Sequence, residues 1–317
     1  MKQQKTSPTK SILRIALQPR NWPLAIGFVL LRVVITLPFP MLLRIGKGIG
    51  RLMYLFARQR RRITEINIGL CFPELSQHER NQLTRKTFES IGIAVLETPL
   101  AWWADWSRLK SLAHFNGYEH IIRAKEEGHS ILLLGAHFTD LEIGGTLMAT
   151  RQPTVNMYKR HRNPLFEAVM RKNRERQLAG LIQRHDVRSF VRTLNAGKVC
   201  WIAPDQDFGR RSSVIVPFLG VPAATTTATA RIAKMSNAVV IPFFPIRRRD
   251  ASGYDLIILP PMQNFPSGDD EKDAAYINKV IGDQVKLAPD QYLWLHRRFK
   301  TRPEGEPPLY PPKRKRK

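Results

Sequence analysis

The chain has 317 residues and a formal net charge of +25, with 51 Lys and Arg against 26 Asp and Glu. Its 43% apolar residues allow a large buried core and exclude global disorder. So positive a chain indicates an anionic partner: a nucleic acid, an anionic membrane or a phosphorylated substrate. Two cysteines, Cys71 and Cys200, cannot form a disulfide framework or a four-cysteine zinc site. We interpret them as buried thiols in a reducing compartment.

The positive charge is concentrated at the N-terminus, where residues 1–62 hold thirteen Lys and Arg and no acid. This segment contains an apolar run, 22–43, which Arg32 interrupts. As one helix the run would be roughly 33 Å long, about the thickness of a bilayer core. However, a mid-span arginine costs roughly 2.5–3.5 kcal/mol on membrane-insertion scales. We therefore expect residues 1–62 to anchor the protein to a membrane, with 22–43 either spanning the bilayer or lying in its plane.

A basic amphipathic pattern follows the apolar run. Its apolar stripe consists of Ile45, Ile49, Leu52, Met53 and Phe56, and its cations are Lys47, Arg51 and Arg58. Such a pattern is typical of a helix on a membrane surface, and it also fits a helix that faces a core. The adjacent apolar run and the absence of acids favour the membrane.

The body of the chain predicts an α/β architecture. Ser76 followed by Glu79 is a capping-box pattern, which predicts a helix over 76–106. Short apolar runs then alternate with helical stretches, as in α/β layer folds. The predicted strands are 131–134, 199–203, 238–245 and 254–259, and the predicted helices are 164–182, 186–196, 224–236 and 271–287. We interpret 63–305 as one catalytic domain, 205–223 as a loop and 306–317 as a basic disordered tail.

The segment 131–145 carries the candidate catalytic residues. An apolar strand runs into Gly135, His137 follows, and a helix capped by Thr139 or Asp140 begins next. In an unbroken helix His137 and Glu142 would diverge by roughly 140°, but across a strand-to-helix turn they can converge. A carboxylate on one imidazole nitrogen fixes the tautomer and leaves the other nitrogen as a base. On spacing alone, a non-catalytic histidine at the end of a strand remains the alternative.

His137 and Glu142 match the His-x4-acid box of membrane acyltransferases, in the sequence Gly-Ala-His-Phe-Thr-Asp-Leu-Glu-Ile-Gly. The whole chain resembles the late acyltransferases of lipid A biosynthesis, particularly their lauroyltransferase branch. The matching blocks are 67–74, 135–144, 201–209, 211–218, 223–230 and 289–300. Because the blocks follow the family's order over most of the chain, the resemblance is specific.

The resemblance implies a mixed central sheet flanked by helices, glycerol-3-phosphate acyltransferase-like, with an N-terminal membrane-associated helix. It implies transfer of an acyl chain from acyl carrier protein to a hydroxyacyl chain of a Kdo-bearing lipid A precursor. The catalytic domain would face the cytoplasm at the anionic inner membrane of a Gram-negative bacterium. His137 would be the general base and Glu142 its orienting acid, with no cofactor, metal or cysteine nucleophile. A lysophospholipid is the alternative acceptor. We expect no nucleic-acid partner, because no zinc-finger, homeodomain or RNA-recognition signature is present.

Several cations are candidates for contacting the substrates. Amides around 138–139, together with Lys159 or Arg160, could stabilise the oxyanion of the transition state. The family usually has arginine directly after the tyrosine at position 158, so which of the two cations acts stays open. Four arginines in the matching motifs are candidates for binding the phosphates and carboxylates of the acceptor: Arg210, Arg211, Arg297 and Arg298.

Other residues in the motifs have simpler interpretations. Arg297 and Arg298 could instead form a structural ion-pair node. Asp205 and Asp207 are too few for a metal site, so we interpret them as structural or as partners of the arginines. The wall of the acyl tunnel is expected from apolar residues near the box, such as Leu141, Val216 and Phe218.

Overall fold

The computed structural model describes residues 8–312, with side chains from residue 12 onward. The helices are α1 Pro8–Ala16, α2 Trp22–Val34, α3 Phe39–Phe56, α4 Arg58–Cys71, α5 Gln77–Trp103, α6 Trp106–Leu112, α7 Glu119–Glu126, α8 Leu141–Ala149, α9 Pro164–Gln177, α10 Val187–Asn195, α11 Ala228–Ser236 and α12 Asp270–Leu287. The strands are β1 Ala113–Asn116, β2 Ser130–Leu134, β3 Val155–Tyr158, β4 Gly180–Gln183, β5 Cys200–Ile202, β6 Ser213–Phe218, β7 Val221–Thr226, β8 Ala238–Arg247 and β9 Tyr254–Ile258.

Seven strands form a mixed sheet in the order β1-β9-β8-β2-β5-β3-β4, and β6 and β7 form a separate antiparallel hairpin. Only the pair β8–β9 is antiparallel within the large sheet. The predicted α/β fold with a mixed central sheet flanked by helices is therefore confirmed. Because β2, β5, β3 and β8 run in the same direction, the loops that follow them gather at one edge of the sheet.

Both faces of the sheet are covered, as is usual for a mainly parallel sheet. Along β2, Leu132 and Leu134 contribute to one hydrophobic core, while Ile131 and Leu133 contribute to the other. All four side chains are at most 2% exposed. The central strand is thus rigidly packed, and so is the start of the loop that it feeds.

The apolar run 22–43 is not one helix, unlike the single spanning helix that was one of the two alternatives for it. Helix α2 ends at Val34 and α3 begins at Phe39, after a break that contains Pro38. Proline lacks an amide donor and disfavours a helical residue before it, so it separates the two helices. The 13 residues of α2 reach about 20 Å. Within residues 8–312, none of the helices combines the length and apolar character that crossing a membrane requires.

Helices α2 and α3 nevertheless keep large apolar side chains at the surface. The exposed residues are Trp22, Ile26, Val29, Leu30 and Val33 on α2 and Met41, Ile45, Leu52, Leu55 and Phe56 on α3. Their spacing of three, four or seven places them along one side of each helix. The predicted stripe of α3 is therefore mostly exposed, and its core face consists of other residues.

Glycines bring α3 into close contact with α5. A Cβ at Gly50 would lie 2.2 Å from the carbonyl oxygen of Phe88, and one at Gly46 would lie 2.6 Å from the Cα of Ile93. Gly92 on α5 faces both of these glycines. No larger residue fits this crossing, so α3 belongs to the body. The expected division at residue 62 falls inside α4.

The C-terminal residues that the structure describes also pack on the body. Tyr310 is 7% exposed, donates to Asn67 Oδ1 and accepts from the Phe299 amide at 3.0 Å. The expectation of a disordered tail from residue 306 is therefore wrong for this part. The basic residues 313–317 lie outside the described residues.

Candidate active site

His137 lies in the turn between β2 and α8, at the edge of the sheet where the parallel strands end. The Gly135 amide donates to the Ile202 carbonyl at 2.8 Å, which extends the pairing of β2 with β5. A Cβ at Gly135 would lie 2.5 Å from Trp201 Nε1, so this position requires glycine. The His137 carbonyl accepts from the Leu293 amide at 3.0 Å. The backbone of His137 is thus fixed from two sides.

The acid that holds the imidazole is Asp205, which follows β5. Asp205 Oδ1 lies 2.6 Å from His137 Nδ1, and Oδ2 accepts from the His137 amide at 2.9 Å. The Tyr292 hydroxyl donates to the same Oδ2 at 2.9 Å. The Asp205 side chain is 1% exposed, whereas that of His137 is 30% exposed. Nδ1 is therefore occupied, and Nε2 has no hydrogen bond to any described residue.

The charges of this pair stabilise each other. Burial alone would raise the pKa of Asp205, but the nearby His137 and the hydrogen bonds outweigh it and lower that pKa to about 2. Burial alone would lower the pKa of His137, but Asp205 outweighs it and raises that pKa above its ordinary value. Asp205 is therefore an anion at neutral pH. It accepts a hydrogen bond from Nδ1, which leaves Nε2 as the basic nitrogen.

Glu142 does not contact the imidazole, which corrects the expected His137–Glu142 pair. It accepts from Arg174 through Nε at 2.9 Å and Nη2 at 2.5 Å, and from Trp102 Nε1 at 2.7 Å. Burial would raise its pKa, but Arg174 and these hydrogen bonds outweigh it, and the pKa of Glu142 is lowered. The carboxylate thus joins α8 to α9 and α5.

Asp140 does not cap α8 through its side chain, contrary to expectation. Neither carboxylate oxygen has a hydrogen-bond partner in the part of the chain that the structure describes, and the residue is 1% exposed. Burial outweighs the attraction of Arg247 and raises the pKa of Asp140 to about 8. Arg247 itself is paired with Glu97, with Nε–Oε1 at 2.5 Å and Nη2–Oε2 at 3.1 Å.

A cavity of about 820 Å³ opens beside His137, and Glu142, Arg174 and Lys159 also line it. Its apolar lining consists of Leu141, Met157, Leu178, Leu181 and Trp201. A smaller, mainly apolar cavity shares Leu141 and Trp201 with it. Leu141 therefore lies where a residue of the predicted acyl-tunnel wall should lie. Val216 and Phe218 line neither cavity and belong to the hairpin β6–β7, so that part of the expectation is wrong.

The amides proposed for the oxyanion are already used. The Phe138 amide donates to the Ala136 carbonyl at 2.9 Å, and the Thr139 amide donates to the Gln291 carbonyl at 2.7 Å. Of the two candidate cations, Lys159 lines the cavity of His137, while Arg160 is exposed outside it. The structure therefore brings only Lys159 to the site.

Arg298 is buried in the core, which corrects its assignment to the acceptor. It is 1% exposed and donates to the Ala224 carbonyl at 2.6 Å and to Thr225 Oγ1 at 2.9 Å. Arg297 donates to the Pro311 carbonyl at 3.1 Å and stacks on Tyr310. Both therefore hold structural elements together.

Arg210 and Arg211 are exposed but do not line the cavity of His137. Arg210 donates to the Arg302 carbonyl at 2.7 Å and lines a separate open cleft. Asp207 accepts from the Thr301 amide at 2.6 Å and from the Gly209 amide at 2.9 Å, so it is structural.

The two cysteines take no part in the site. Both are buried and unbonded to each other, and burial raises the pKa of Cys71 well above its ordinary value and that of Cys200 to about 12. They are therefore neutral thiols, as the sequence predicts.

The fold and the site define an α/β protein with a histidine–aspartate pair at the edge of its sheet, beside a partly apolar cavity. Comparison with known proteins gives the family. Residues 10–301 match the model of the bacterial lipid A biosynthesis acyltransferases. The chain belongs to this family and is an acyltransferase, as its sequence motifs predict.

Three relatives in Escherichia coli (strain K12) show the range within the family. The lipid A biosynthesis lauroyltransferase is 42% identical over 93% of this chain and 96% of its own length. The palmitoleoyltransferase is 38% identical over 96% of this chain and 99% of its own length. The myristoyltransferase is 29% identical over 94% of this chain and 92% of its own length. The crystal structure of the 1-acyl-sn-glycerophosphate acyltransferase from Thermotoga maritima aligns with 72% of this chain and 98% of its own, at 15% identity and a TM-score of 0.36.

Proposed function

We propose that this protein transfers a fatty acyl chain, such as lauroyl, from acyl carrier protein to a 3-hydroxyacyl chain of the Kdo-bearing lipid A precursor. The main support is the His137–Asp205 pair, which leaves Nε2 free beside a cavity with an apolar lining. The lauroyltransferase relative supports the choice of chain. The position of His137 after a parallel strand supports a glycerol-3-phosphate acyltransferase-like fold.

The reaction needs a base, because a secondary alcohol is a poor nucleophile. Nε2 of His137 takes the proton of the hydroxyl group as its oxygen attacks the thioester carbonyl. Collapse of the tetrahedral intermediate forms the ester and breaks the carbon–sulfur bond, and the imidazolium returns the proton to the leaving thiolate. Asp205 stabilises the imidazolium and holds it in orientation, without itself taking the proton.

The oxyanion of the intermediate needs a donor in the same cavity. Lys159 is the candidate, since it is an exposed cation on that cavity and has no ion pair among the described residues. Arg174 lines the cavity too, but the Nε–Nη2 edge of its guanidinium is engaged by the two carboxylate oxygens of Glu142. Glu142 is a positioning residue in this scheme. It fixes Arg174 and the start of α8 beside the base.

The enzyme would work at the cytoplasmic face of the inner membrane, where acyl carrier protein is available. The exposed apolar sides of α2 and α3 support association in the plane of the membrane, with residues 1–62 as the contact segment. The excess of Lys and Arg there would add attraction to anionic lipids, about 1 kcal/mol for each cation near the surface.

An acyl transfer assay tests the chemistry. Purified protein is given acyl carrier protein donors of graded chain length, with either a phosphorylated hydroxyacyl disaccharide or lysophosphatidic acid as acceptor. We expect transfer to the disaccharide and little to lysophosphatidic acid. Faster turnover of lysophosphatidic acid would refute the acceptor, and activity only with acyl-coenzyme A would refute the donor.

A vesicle assay tests the membrane contact. Val29→Asn/Val33→Asn on α2 should weaken binding to anionic vesicles, whereas Val187→Asn, at an exposed position on α10, should not. Equal binding of the two variants would contradict the assignment of α2.

A further inference from the structure

A second cleft is lined by Gln291, whose carbonyl is hydrogen-bonded to the loop that carries His137. It has a volume of about 660 Å³ and forms where α3, α5, the end of β8 and the segment at 290–291 meet. Its lining residues are Leu43, Lys47, Lys86, Glu89, Ser90, Ile93, Arg247, Arg248, Arg249, Asp290 and Gln291. The glycine contacts between α3 and α5 fix two of its walls.

The cleft has an excess of positive charge that no described residue neutralises. Three of its arginines are paired: Arg247 with Glu97, Arg248 with Asp255 and Arg249 with Asp290. Its Glu89 is paired with Arg51 at 2.7 Å. The ammonium groups of Lys47 and Lys86 have neither an ion pair nor a hydrogen bond within residues 12–312. Two uncompensated positive charges therefore face one cleft.

A nearly buried hydroxyl group also points to a ligand. Ser90 is 3% exposed and lines the cleft, and its hydroxyl group has no hydrogen bond to any described residue. A helical serine commonly donates to the carbonyl one turn earlier, and here that bond is absent. Two ammonium groups and a hydroxyl donor together match a phosphate monoester, which has a charge of about −1.5 to −2 at pH 7.

The position of the cleft indicates that the phosphate belongs to a lipid. Arg44, Lys47 and Arg51 share one face of α3 through their spacing of three and four. The exposed side of the same helix includes Ile45 and Leu52. A lipid with its chains in the membrane beside that side of α3 can therefore present its head group to Lys47.

The cleft and the site are linked through Gln291. Gln291 lines the cleft, and its carbonyl accepts from the Thr139 amide, two residues after His137. We propose that this cleft binds a phosphate monoester of the lipid acceptor and so places the acceptor beside His137. The acceptor part rests on the proposed function, whereas binding of a phosphate-bearing lipid does not.

A binding experiment with full-length protein tests the cleft alone. Lys47→Gln/Lys86→Gln is compared with Arg44→Gln/Arg58→Gln, which removes the same charge from exposed positions outside the cleft. The vesicles contain phosphatidic acid, a monoester, or phosphatidylglycerol, a diester of the same sign. Wild type and control should bind phosphatidic acid vesicles more tightly than phosphatidylglycerol vesicles. In the cleft variant this ratio of affinities should fall about tenfold for each lysine replaced. An unchanged preference would overturn the proposal. Equally tight binding of inorganic phosphate would show a site for free anions and would overturn the lipid assignment.

A kinetic experiment tests the acceptor. In the cleft variant we expect KM for the phosphorylated acceptor to rise about tenfold for each lysine, with KM for the donor and kcat nearly unchanged. A dephosphorylated acceptor should show no difference between wild type and variant. Equal effects on both acceptors would overturn the acceptor assignment. If even wild type transfers nothing, the proposed function fails, and the vesicle experiment still decides on the cleft.

Discussion

The imidazole of His137 is held by Asp205, 68 residues away in the chain, and not by the carboxylate five residues after it. The two residues meet because β2 and β5 are adjacent and parallel, so their following loops end side by side. The pair is therefore built by two loops that follow neighbouring strands, while Glu142 pairs with Arg174 from α8.

The role of Asp205 can be tested through the pH dependence of kcat/KM. Asp205→Asn should lower turnover about 10²–10⁴-fold, because the imidazole loses its orientation and the imidazolium its counter-charge. As the pH falls, kcat/KM should decline where His137 becomes protonated, and this is the acidic limb of the profile. In wild type the limb should lie above the ordinary pKa of histidine, since Asp205 raises the pKa of His137. In the variant this limb should move to lower pH, because burial then acts without the opposing carboxylate. Glu142→Gln should leave the limb in place. The reverse pattern would show that Glu142 orients the base.

The pair of Glu142 and Arg174 is expected to matter for stability. Their side chains are only 16% and 23% exposed, so Glu142→Gln leaves a partly buried cation unpaired. We expect a loss of about 1–3 kcal/mol in the free energy of unfolding, measured with urea. Glu175→Gln is the control, because its pair with Arg171 is 47% and 57% exposed and should contribute less than about 1 kcal/mol.

The same pair should give a distinct pH signature. The pKa of Glu142 is lowered in the folded protein, so its contribution is complete above the ordinary carboxyl pKa and is lost as the pH falls through the lowered value. The stability difference between wild type and Glu142→Gln should therefore disappear in acid. A difference that persists there would contradict an ionic origin.

Arg298→Ala should destabilise the protein rather than weaken acceptor binding. The substitution leaves the Ala224 carbonyl and Asn278 Oδ1 without a buried donor, at a cost of about 2–4 kcal/mol. Arg297→Ala, at a half-buried neighbour, should cost about 1 kcal/mol or less. Thermal unfolding and KM for the acceptor distinguish the outcomes. A stable Arg298→Ala protein with a raised KM would restore the substrate role.

The crossing of α3 and α5 can be tested with two glycines of the same helix. A Cβ at Gly50 would meet the backbone of Phe88 and Glu89, so Gly50→Ala should cost about 3 kcal/mol or more. Gly48 has no atom within 4 Å of its Cβ position, and Gly48→Ala should stabilise the helix by about 0.5–1 kcal/mol. Similar effects of the two substitutions in chemical denaturation would show that α3 is not packed as described.

The local signals of the sequence were reliable. The capping box of Ser76 and Glu79 is present, and the strand-to-helix turn places His137 at the edge of the sheet as predicted. The predicted helix 164–182 proved to be α9 followed by β4, and the predicted loop 205–223 contains β6. Strand β4 is a short edge strand with only two apolar residues, so it lacks the apolar run by which strands are recognised. Strand β6 has such a run, but the Gly-, Pro-, Arg- and Ser-rich sequence around it favoured a loop.

The partner of the histidine could not be predicted in the same way. An aspartate that follows an apolar run is a usable signal, and Asp205 gives it, but the order of strands in the sheet decides which loop it meets. The burial of Arg298 could not be predicted either. The sequence of a motif is the same whether its arginine contacts a substrate or, as here, three core residues. Both depend on contacts between distant parts of the chain.

The close crossing of α3 and α5 has a practical consequence for anyone who prepares this enzyme. Leu42 and Leu43 of α3 belong to the same core as Ile93 and Leu96 of α5. A shortened version that starts at residue 63 would expose this apolar surface to solvent and would aggregate. Helices α2 and α3 therefore cannot be trimmed away without uncovering this core. Crystallisation or screening has to begin from a chain that keeps both helices.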